Sequence, residues 1–125
     1  MKTLTKAEEQ IMQSLWLVKK GFLKDIIDRL PDPKPAYTTV ATIINTLIRK
    51  GFVKFNQYGK LREYYPAISR NVYFAKQVKG IVNNFFNNSY SQFASAFTED
   101  NLSLTELEEL QELLEKQIAK QKKDQ

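Results

Sequence analysis

Residues 36–66 read AYTTVATIINTLIRKGFVKFNQYGKLREYYP, and this stretch decides the fold. Its first part has apolar side chains at the three- and four-residue steps of an amphipathic helix, namely Val40, Ile43, Ile44, Leu47 and Ile48. Gly51 follows these residues and favours a helix end. The pattern predicts a helix that begins at Tyr37 or Thr38 and ends at Lys50.

A basic β-hairpin is predicted directly after this helix. Its strands are Phe52–Phe55 and Leu61–Tyr65, because both runs are rich in aromatic and β-branched residues. Gln57–Lys60 supplies the turn, with Gly59 in it, and Pro66 ends the second strand. A polar helix followed by such a hairpin is the order of a winged helix-turn-helix, which presents its helix to the major groove of DNA.

Two helices are predicted before this stretch. Thr5-Lys6-Ala7-Glu8 fits a capping box that begins the first helix, which extends to about Val18. Its inward stripe is expected to contain Ala7, Ile11, Leu15 and Val18, with Met12 and Trp16 beside them. The second helix is expected at Phe22–Leu30, and prolines at positions 31, 33 and 35 end it.

The pattern becomes helical again from about Ser69, in two amphipathic helices joined by a connection at 92–101. Ser103-Leu104-Thr105-Glu106 fits a second capping box. Two amphipathic helices without a sheet do not easily bury both apolar stripes, so we expect a homodimer. Folding of these helices onto the front half of one chain is the alternative. The expected dimerisation residues are Val78, Val82, Phe86, Leu107, Leu110, Leu114 and Ile118.

Composition and charge agree with two functional halves. The chain has 125 residues, of which 42% are hydrophobic, as in ordinary globular proteins. Residues 1–70 hold 13 Lys and Arg against 6 Asp and Glu, a net +7, whereas residues 71–125 hold 6 against 8, a net −2. We therefore predict a mainly α fold with a small β-hairpin: a winged-helix DNA-binding domain at 1–68 followed by a two-helix dimerisation domain at 69–125.

Several classes of function are excluded by residues that the chain lacks. It contains no Cys and no His, which excludes disulfides and thiolate metal sites and removes the usual zinc ligands and the usual general base. We predict no enzyme activity, no metal and no small-molecule cofactor. No apolar run approaches the length of a membrane span, and the N-terminus lacks the apolar stretch of a signal peptide, so a cytoplasmic protein is expected.

The outward face of the helix at 37–50 is the candidate DNA-reading surface. Thr is a mediocre helix former, so four of them on one outer surface favour an external ligand. The base-facing residues are expected to be Tyr37, Thr38, Thr39, Thr42, Asn45 and Thr46. Phosphate contacts are expected from Arg49, Lys54, Lys60 and Arg62. The alternative is a protein-interaction module with a solvated helix face and an ordinary charged hairpin.

Several motifs stand in a characteristic order along the chain. They are Thr5-Lys6-Ala7-Glu8 with Met12 and Trp16, Thr39-Val40-Ala41-Thr42-Ile43-Ile44, Leu47-Ile48-Arg49-Lys50-Gly51-Phe52-Val53, Tyr64-Tyr65-Pro66, Ser95-Ala96-Phe97-Thr98-Glu99, Asn101-Leu102-Ser103 and Glu106-Leu107-Glu108-Glu109-Leu110. Each motif is weak alone. Their joint order, over nearly the whole chain, resembles the penicillinase-repressor family of winged-helix repressors, the BlaI/MecI/CopY group.

The resemblance implies a dimeric repressor that binds a two-fold operator in double-stranded DNA. It also implies induction by a membrane sensor-protease system that causes a cut near the start of the last helix. In this sequence the bond would be Ala96–Phe97, although family members often carry Asn before the Phe. One branch of the family senses copper through C-terminal Cys pairs. Because this chain has no Cys, the β-lactamase-type branch, with antibiotic-type induction, fits better.

Overall fold

The computed structural model of the chain describes residues 3–125. Within this range the elements are α1 (Lys6–Val18), α2 (Leu23–Asp28), α3 (Tyr37–Arg49), β1 (Val53–Tyr58), β2 (Leu61–Pro66), α4 (Arg70–Phe86), α5 (Tyr90–Thr98) and α6 (Leu104–Lys123). The two strands form one antiparallel sheet. Three helices, a hairpin and further helices, in that order, confirm the predicted winged-helix fold class.

α1 begins with the predicted capping box. The Thr5 hydroxyl accepts a hydrogen bond from the Glu8 N–H at 3.1 Å, and the Glu8 carboxylate accepts one from the Thr5 N–H at 2.8 Å. The expected inward stripe is wrong at its first position, because Ala7 is exposed and Glu8 is buried. Glu8 lies in one row with Ile11 and Leu15 at helical steps, so the helix turns Ala7 outward.

α2 is shorter than predicted at both ends. Phe22 has an extended backbone, with φ −79° and ψ 169°, and precedes the helix as its N-cap. The Phe22 N–H donates to the Asp25 carboxylate at 2.9 Å, and Arg29 is the C-cap. The buried Ser14 hydroxyl of α1 donates to the Ile26 carbonyl at 2.6 Å, which joins the first two helices.

α3 ends in a turn that requires glycine. Lys50 is the C-cap, and Gly51 has φ +86°. The Phe52 N–H donates to the Leu47 carbonyl at 2.9 Å, and the Gly51 N–H donates to the Ile48 carbonyl at 3.0 Å. These paired bonds form a Schellman motif. Phe52 is fully buried, so the turn leads the chain from α3 through the core into β1.

The hairpin turn is tighter than predicted. Tyr58 pairs with Leu61 in the antiparallel register, so only Gly59 and Lys60 form the turn, whereas the sequence predicted a turn over 57–60. Gly59 has φ +60°, the left-handed conformation that two-residue hairpin turns need and glycine adopts easily. β1 therefore extends three residues further toward the turn than expected, whereas β2 begins at Leu61 as predicted.

A third segment joins the edge of this sheet. Gly21, between α1 and α2, exchanges two backbone hydrogen bonds with Tyr64 of β2, with N···O distances of 3.0 and 2.7 Å. A Cβ atom on Gly21 would approach the Cβ of Asp25 to 3.0 Å, which leaves little room for a larger side chain. The bridge attaches the base of the hairpin to the helical part of the domain.

Tyr73, in the first turn of α4, packs into the winged-helix core. Its ring centroid lies 6.0 Å from that of Trp16 and 5.7 Å from that of Phe52. Its hydroxyl donates to the Glu9 carboxylate at 3.0 Å and accepts from the Leu4 N–H at 3.3 Å. Burial and the neighbouring Glu9 carboxylate raise the pKa of Tyr73 above its ordinary value.

The chain divides into two compact units, one ending at Lys76 and the other comprising Gln77–Gln125. The division lies within α4, later than the boundary expected after residue 68, because Tyr73 belongs to the packing of the first unit. No helix among residues 3–125 is both long enough and apolar enough to cross a bilayer.

A further helix, α5, occupies most of the region where a connection between two helices was expected, so that expectation was wrong. α4 ends before Asn87 and Asn88, whose φ angles are +52° and +66°. Asn tolerates this left-handed conformation better than most residues, so the pair turns the chain toward α5. The Phe93 ring of α5 lies 5.7 Å from Phe86 and 5.9 Å from Phe97.

α6 begins with the second predicted capping box. The Ser103 hydroxyl accepts from the Glu106 N–H at 3.2 Å, and the Glu106 carboxylate accepts from the Ser103 N–H at 2.9 Å. These hydrogen bonds lower the pKa of Glu106 below its ordinary value. Every residue from Leu104 to Lys123 is exposed. The hydrophobic side chains of α6 are therefore in contact with solvent in a single chain.

Candidate nucleic-acid interface

α3 has two chemically distinct faces. Val40, Ile44 and Leu47 are all 0% exposed and pack in the core with residues of α1 and α2. The apolar periodicity that predicted the helix therefore marks its buried side. The opposite side carries hydroxyl and amide groups.

Most of the predicted base-facing residues lie on that outer side. Tyr37 is 60% exposed. The other exposed members are Thr38, Thr39, Thr42 and Asn45. Thr46 is half-buried and differs from the rest of the set in this respect. The structure thus brings the predicted side chains onto one continuous helical surface, with Thr46 at its edge.

Hydrogen bonds along α3 orient its threonine side chains. The Thr42 hydroxyl donates to the Thr38 carbonyl at 2.9 Å, and the Thr46 hydroxyl donates to the Thr42 carbonyl at 3.2 Å. The Arg49 guanidinium donates to the Thr46 hydroxyl at 3.1 Å. Because the hydroxyl protons point back to the helix, Thr42 offers a ligand its oxygen lone pair and its methyl group.

The basic residues of the hairpin lie on different faces. Gln57 pairs with Arg62, and Lys54 pairs with Tyr65. Paired residues of an antiparallel sheet share a face, and successive residues alternate between faces. Lys54 and Arg62 therefore point to opposite sides of the sheet, although both are exposed. Lys60 lies in the turn between the strands and is also exposed.

Arg62 is held by an aromatic ring. Its guanidinium carbon lies 4.3 Å from the centroid of Phe55, within the range of a cation–π contact. The Phe55 ring in turn lies 6.1 Å from that of Tyr64. This contact restricts the Arg62 side chain while leaving it exposed to solvent.

Tyr58 and Leu61 are site features that the sequence did not indicate. They pair with each other beside the turn and are 55% and 60% exposed. They share the face of the sheet that carries Lys54. Strand alternation could have identified this face, but only after the register of the hairpin was known.

An ion pair joins α1 to the end of α3. The Lys50 ammonium lies 2.8 and 2.9 Å from the two carboxylate oxygens of Glu8. Burial alone would raise the pKa of Glu8, but hydrogen bonds from Lys50 and Thr5 outweigh it, so its pKa lies below the ordinary value. The sequence did not indicate this pair, because its members are 42 residues apart.

The predicted dimerisation residues differ in exposure. On α6 the exposed fractions are 38% for Leu107, 38% for Leu110, 59% for Leu114 and 52% for Ile118. On α4, Val78 and Phe86 are half-buried, whereas Val82 is 1% exposed and lies inside the single chain. The exposed apolar positions of α4 include Ile81 and Phe85, which belong to the apolar stripe of that helix in the sequence but not to the expected dimerisation residues.

The predicted cleavage residues lie in the last turns of α5. Ala96 is exposed, and Phe97 is 52% exposed, with its ring stacked on Phe93. The Asn101 side chain donates to the carbonyl oxygens of Phe97 and Glu99, both at 3.0 Å. The bond between Ala96 and Phe97 is thus in helical backbone whose C-terminal carbonyls are capped.

No group of three or more His, Cys, Asp or Glu residues in the described part of the chain is arranged to hold a metal ion. The exposed polar groups of α3 and the hairpin are instead hydroxyls, amides and cations. Such groups suit phosphates and base edges, which accept and donate hydrogen bonds.

Comparison with known proteins places the chain among repressors. A family model described as penicillinase repressor matches residues 4–116. The methicillin resistance regulatory protein MecI of Staphylococcus aureus (strain N315) is 27% identical over 115 residues, which cover 90% of this chain and 94% of that protein. The penicillinase repressor of Bacillus licheniformis is 26% identical over 114 residues, covering 90% and 89%.

Among solved structures, a MarR mutant from E. coli aligns with a TM-score of 0.49 and 14% identity, covering 92% of this chain and 78% of that one. That likeness is remote and supports no conclusion. The family match, in contrast, extends over most of the chain, including α3 and the hairpin. The chain therefore belongs to the penicillinase repressor family, a family of DNA-binding transcriptional repressors and not of enzymes.

Proposed function

We propose that the chain represses transcription as a homodimer that binds a two-fold operator and reads its bases with the outer face of α3. The observation that carries this proposal is the division of α3 into a fully buried apolar face and an exposed face of hydroxyl and amide groups. Short polar side chains on an exposed helix suit the major groove, because they reach base edges directly. Two copies of α3 in a dimer would meet two symmetric half-sites.

Within this face, the proposed roles follow from the available atoms. The exposed Asn45 amide can pair with adenine, which presents one donor and one acceptor in the major groove. The Thr42 hydroxyl already donates to the Thr38 carbonyl, so its methyl group can contact a thymine methyl and its oxygen can accept from a base. Tyr37 and Thr39 lie in the first turn of α3, where side chains reach bases or the adjacent backbone.

The proposed phosphate contacts are Arg49, Lys54, Lys60 and Arg62. All four side chains are exposed and belong to the net-positive front half of the sequence. Because Lys54 and Arg62 point to opposite faces of the sheet, one hairpin would contact phosphates on both sides of its tip. Lys60 at the turn is the contact that least depends on which face meets the DNA.

The proposed homodimer uses α4 and α6. Leu107, Leu110 and Leu114 follow one another at three- and four-residue steps and are all exposed in a single chain. Exposed leucines at this spacing are typical of a seam that a second helix covers. The half-buried Val78 and Phe86 of α4 are proposed to line the same interface, whereas Val82 would support it from inside the chain.

We also propose that induction inactivates the repressor by cleavage near Ala96–Phe97. MecI of Staphylococcus aureus is by name a methicillin resistance regulatory protein, which supports antibiotic-type induction. A membrane sensor-protease system is the proposed cause of the cut. The exposed position of Ala96 allows a protease to approach, and the short α5 of nine residues limits the helix that must unwind. Loss of α6 would remove the leucine seam and weaken the dimer.

DNA binding is tested with a duplex that the chain itself selects from a random pool. The logarithm of its affinity should fall steeply with the logarithm of salt concentration, by about 0.9 per phosphate neutralised. Lys60→Ala should weaken all duplexes about equally, whereas Thr42→Ala should change the preference between sequences by ~1–3 kcal/mol at the base it reads. Lys120→Ala, on exposed α6, is the matched control and should leave both properties unchanged.

Two results would contradict the proposal. A salt-independent affinity would exclude phosphate contacts as its source. Identical effects of Lys60→Ala and Thr42→Ala on every duplex would show that α3 and the wing do not have the separate roles assigned to them.

Cleavage is tested by intact mass spectrometry of the protein recovered from cells before and after treatment with a β-lactam. The proposal predicts a fragment that ends at Ala96 only after treatment. A chain that remains intact while repression is relieved would exclude proteolysis as the inducing step, without affecting the proposal of DNA binding.

A further inference from the structure

Glu8 and Lys50 form the most buried ion pair among the described residues. The Glu8 side chain is 7% exposed and the Lys50 side chain 20% exposed. The other ion pairs in this part of the chain have side-chain exposures of 39% or more. Water therefore screens the Glu8–Lys50 pair less than any of them.

Both members of the pair are fixed by helix caps. Glu8, the third residue of α1, accepts from the Thr5 N–H and so completes the capping box. Lys50 is the C-cap of α3, its N–H donates to the Thr46 carbonyl at 2.9 Å, and Gly51 turns the chain directly after it. The pair thus connects the first turn of α1 to the last turn of α3 at two points that have little freedom to move.

The charges also suit the helix ends that they occupy. A carboxylate in the first turn of α1 and an ammonium at the end of α3 each interact favourably with the local helix dipole. A buried ion pair adds little net stability, because desolvation offsets much of its attraction. Its clearer physical effect is geometric, since two charges held at 2.8 Å restrict how α3 can rotate or slide against α1.

We propose that Lys50 is a positioning residue for DNA reading: its pairing with Glu8 sets the orientation of α3, and Lys50 itself contacts no phosphate. This inference rests on the proposed function, in which α3 reads bases. Lys50 directly follows Arg49, one of the expected phosphate contacts, and the sequence gives no physical reason why the two cations should differ. The pairing separates them, because Arg49 is exposed whereas the Lys50 charge is compensated by a buried carboxylate.

The test compares Lys50→Met with Lys60→Met in the full chain. Binding is measured by fluorescence anisotropy against the self-selected duplex and a scrambled duplex, over a series of salt concentrations and well below each variant's unfolding midpoint. Lys50→Met should lower the affinity ratio between the two duplexes about tenfold and leave the salt slope unchanged. Lys60→Met should reduce the slope by about 1.8, that is by about 0.9 for each protomer of the proposed dimer, and leave the ratio unchanged.

A second variant covers the case in which Lys50→Met does not fold. Glu8→Gln/Lys50→Met removes both charges, keeps the net charge of the chain and retains a side chain that can complete the capping box. The double variant should show the same lowered affinity ratio between the two duplexes as Lys50→Met. Its salt slope should equal that of the unaltered chain. This readout distinguishes positioning from stability alone, because a purely structural pair would change the unfolding midpoint but not the ratio.

Two outcomes would overturn the inference. One is a salt slope that falls by about 1.8 in either Lys50 variant, about 0.9 for each protomer, which would make Lys50 a phosphate contact. The other is an unchanged ratio in a folded variant. Failure of the unaltered chain to bind any duplex would instead overturn the proposed function, and this inference with it.

Discussion

At the residue scale, Glu8 combines burial with a negative charge. Its pKa is lowered in the folded chain, so its charge contributes stability that is fully present above the unfolded value of about 4.3. This contribution is lost as the pH falls through the lower pKa of the folded state.

We predict that Glu8→Gln lowers stability near neutral pH by ~1–3 kcal/mol and reduces its fall below about pH 4.3. Gln can retain the capping hydrogen bond of α1 but not the charge that attracts Lys50. Urea unfolding at a series of pH values measures both effects. Glu108→Gln, at an exposed position of α6, serves as control, and an equal response of the two variants would contradict the prediction.

Helical periodicity correctly predicted most of the exposed positions of α3, because apolar residues at regular steps leave the remaining positions outside. Thr46 is the exception, since it lies at the edge of the buried face and bonds to Arg49. The expected phosphate contacts included Lys60 and not Lys50, but the physical reason for that division could not be predicted. Both are lysines in one basic stretch, and only tertiary packing brings Glu8 to the first of them.

At the scale of elements, the Schellman motif after α3 joins the helix to the hairpin. We predict that Gly51→Ala destabilises the protein by ~1–2 kcal/mol, because a Cβ atom disfavours φ +86°. The cost should be conformational, since no neighbouring heavy atom lies within 4 Å of the position of that Cβ in the described structure. Thermal unfolding measures the change.

Gly51→Asn is the matched variant, because Asn tolerates the left-handed region better than Ala. It should cost clearly less than Gly51→Ala. A larger cost for Asn would show that the site is limited by space and not by backbone conformation.

The helices and strands that were predicted correctly are those with a clear apolar period, a capping box or a terminating glycine in the sequence. α3 was predicted within one residue of its observed ends, because its apolar period and Gly51 agree. The capping boxes likewise located the starts of α1 and α6. α5 was not predicted, because its nine residues span too few helical turns to give a clear period. The hairpin turn was predicted too long, since Tyr58 is compatible with strand or turn.

At the scale of the whole molecule, the two units differ in how completely their apolar side chains are buried within a single chain. The first unit has a continuous core built from α1, α2, α3 and the hairpin. In the second unit, every residue of α6 is exposed, including six leucines or isoleucines: Leu104, Leu107, Leu110, Leu113, Leu114 and Ile118. Large exposed apolar surfaces on a helix are typical of an interaction site, and the sequence already predicted one here.

We predict that Leu110→Arg converts the protein from dimer to monomer, because it places a charge within the proposed leucine seam. Sedimentation velocity measures the mass of the species in solution. Ala119→Arg, on another side of α6, adds the same charge outside the seam and should leave the dimer intact. A Leu110→Arg protein that still sediments as a dimer would move the interface elsewhere.

The central claim is that the exposed face of α3 enters the groove of a duplex, and an NMR titration tests it most directly. The ¹⁵N-labelled chain is titrated with the duplex that it selects, and amide shifts are followed residue by residue. The account predicts the largest shifts within Tyr37–Thr46 and at the Gly59–Lys60 turn, with little change along α6. Tight binding that leaves the amides of Tyr37–Thr46 unshifted would contradict it.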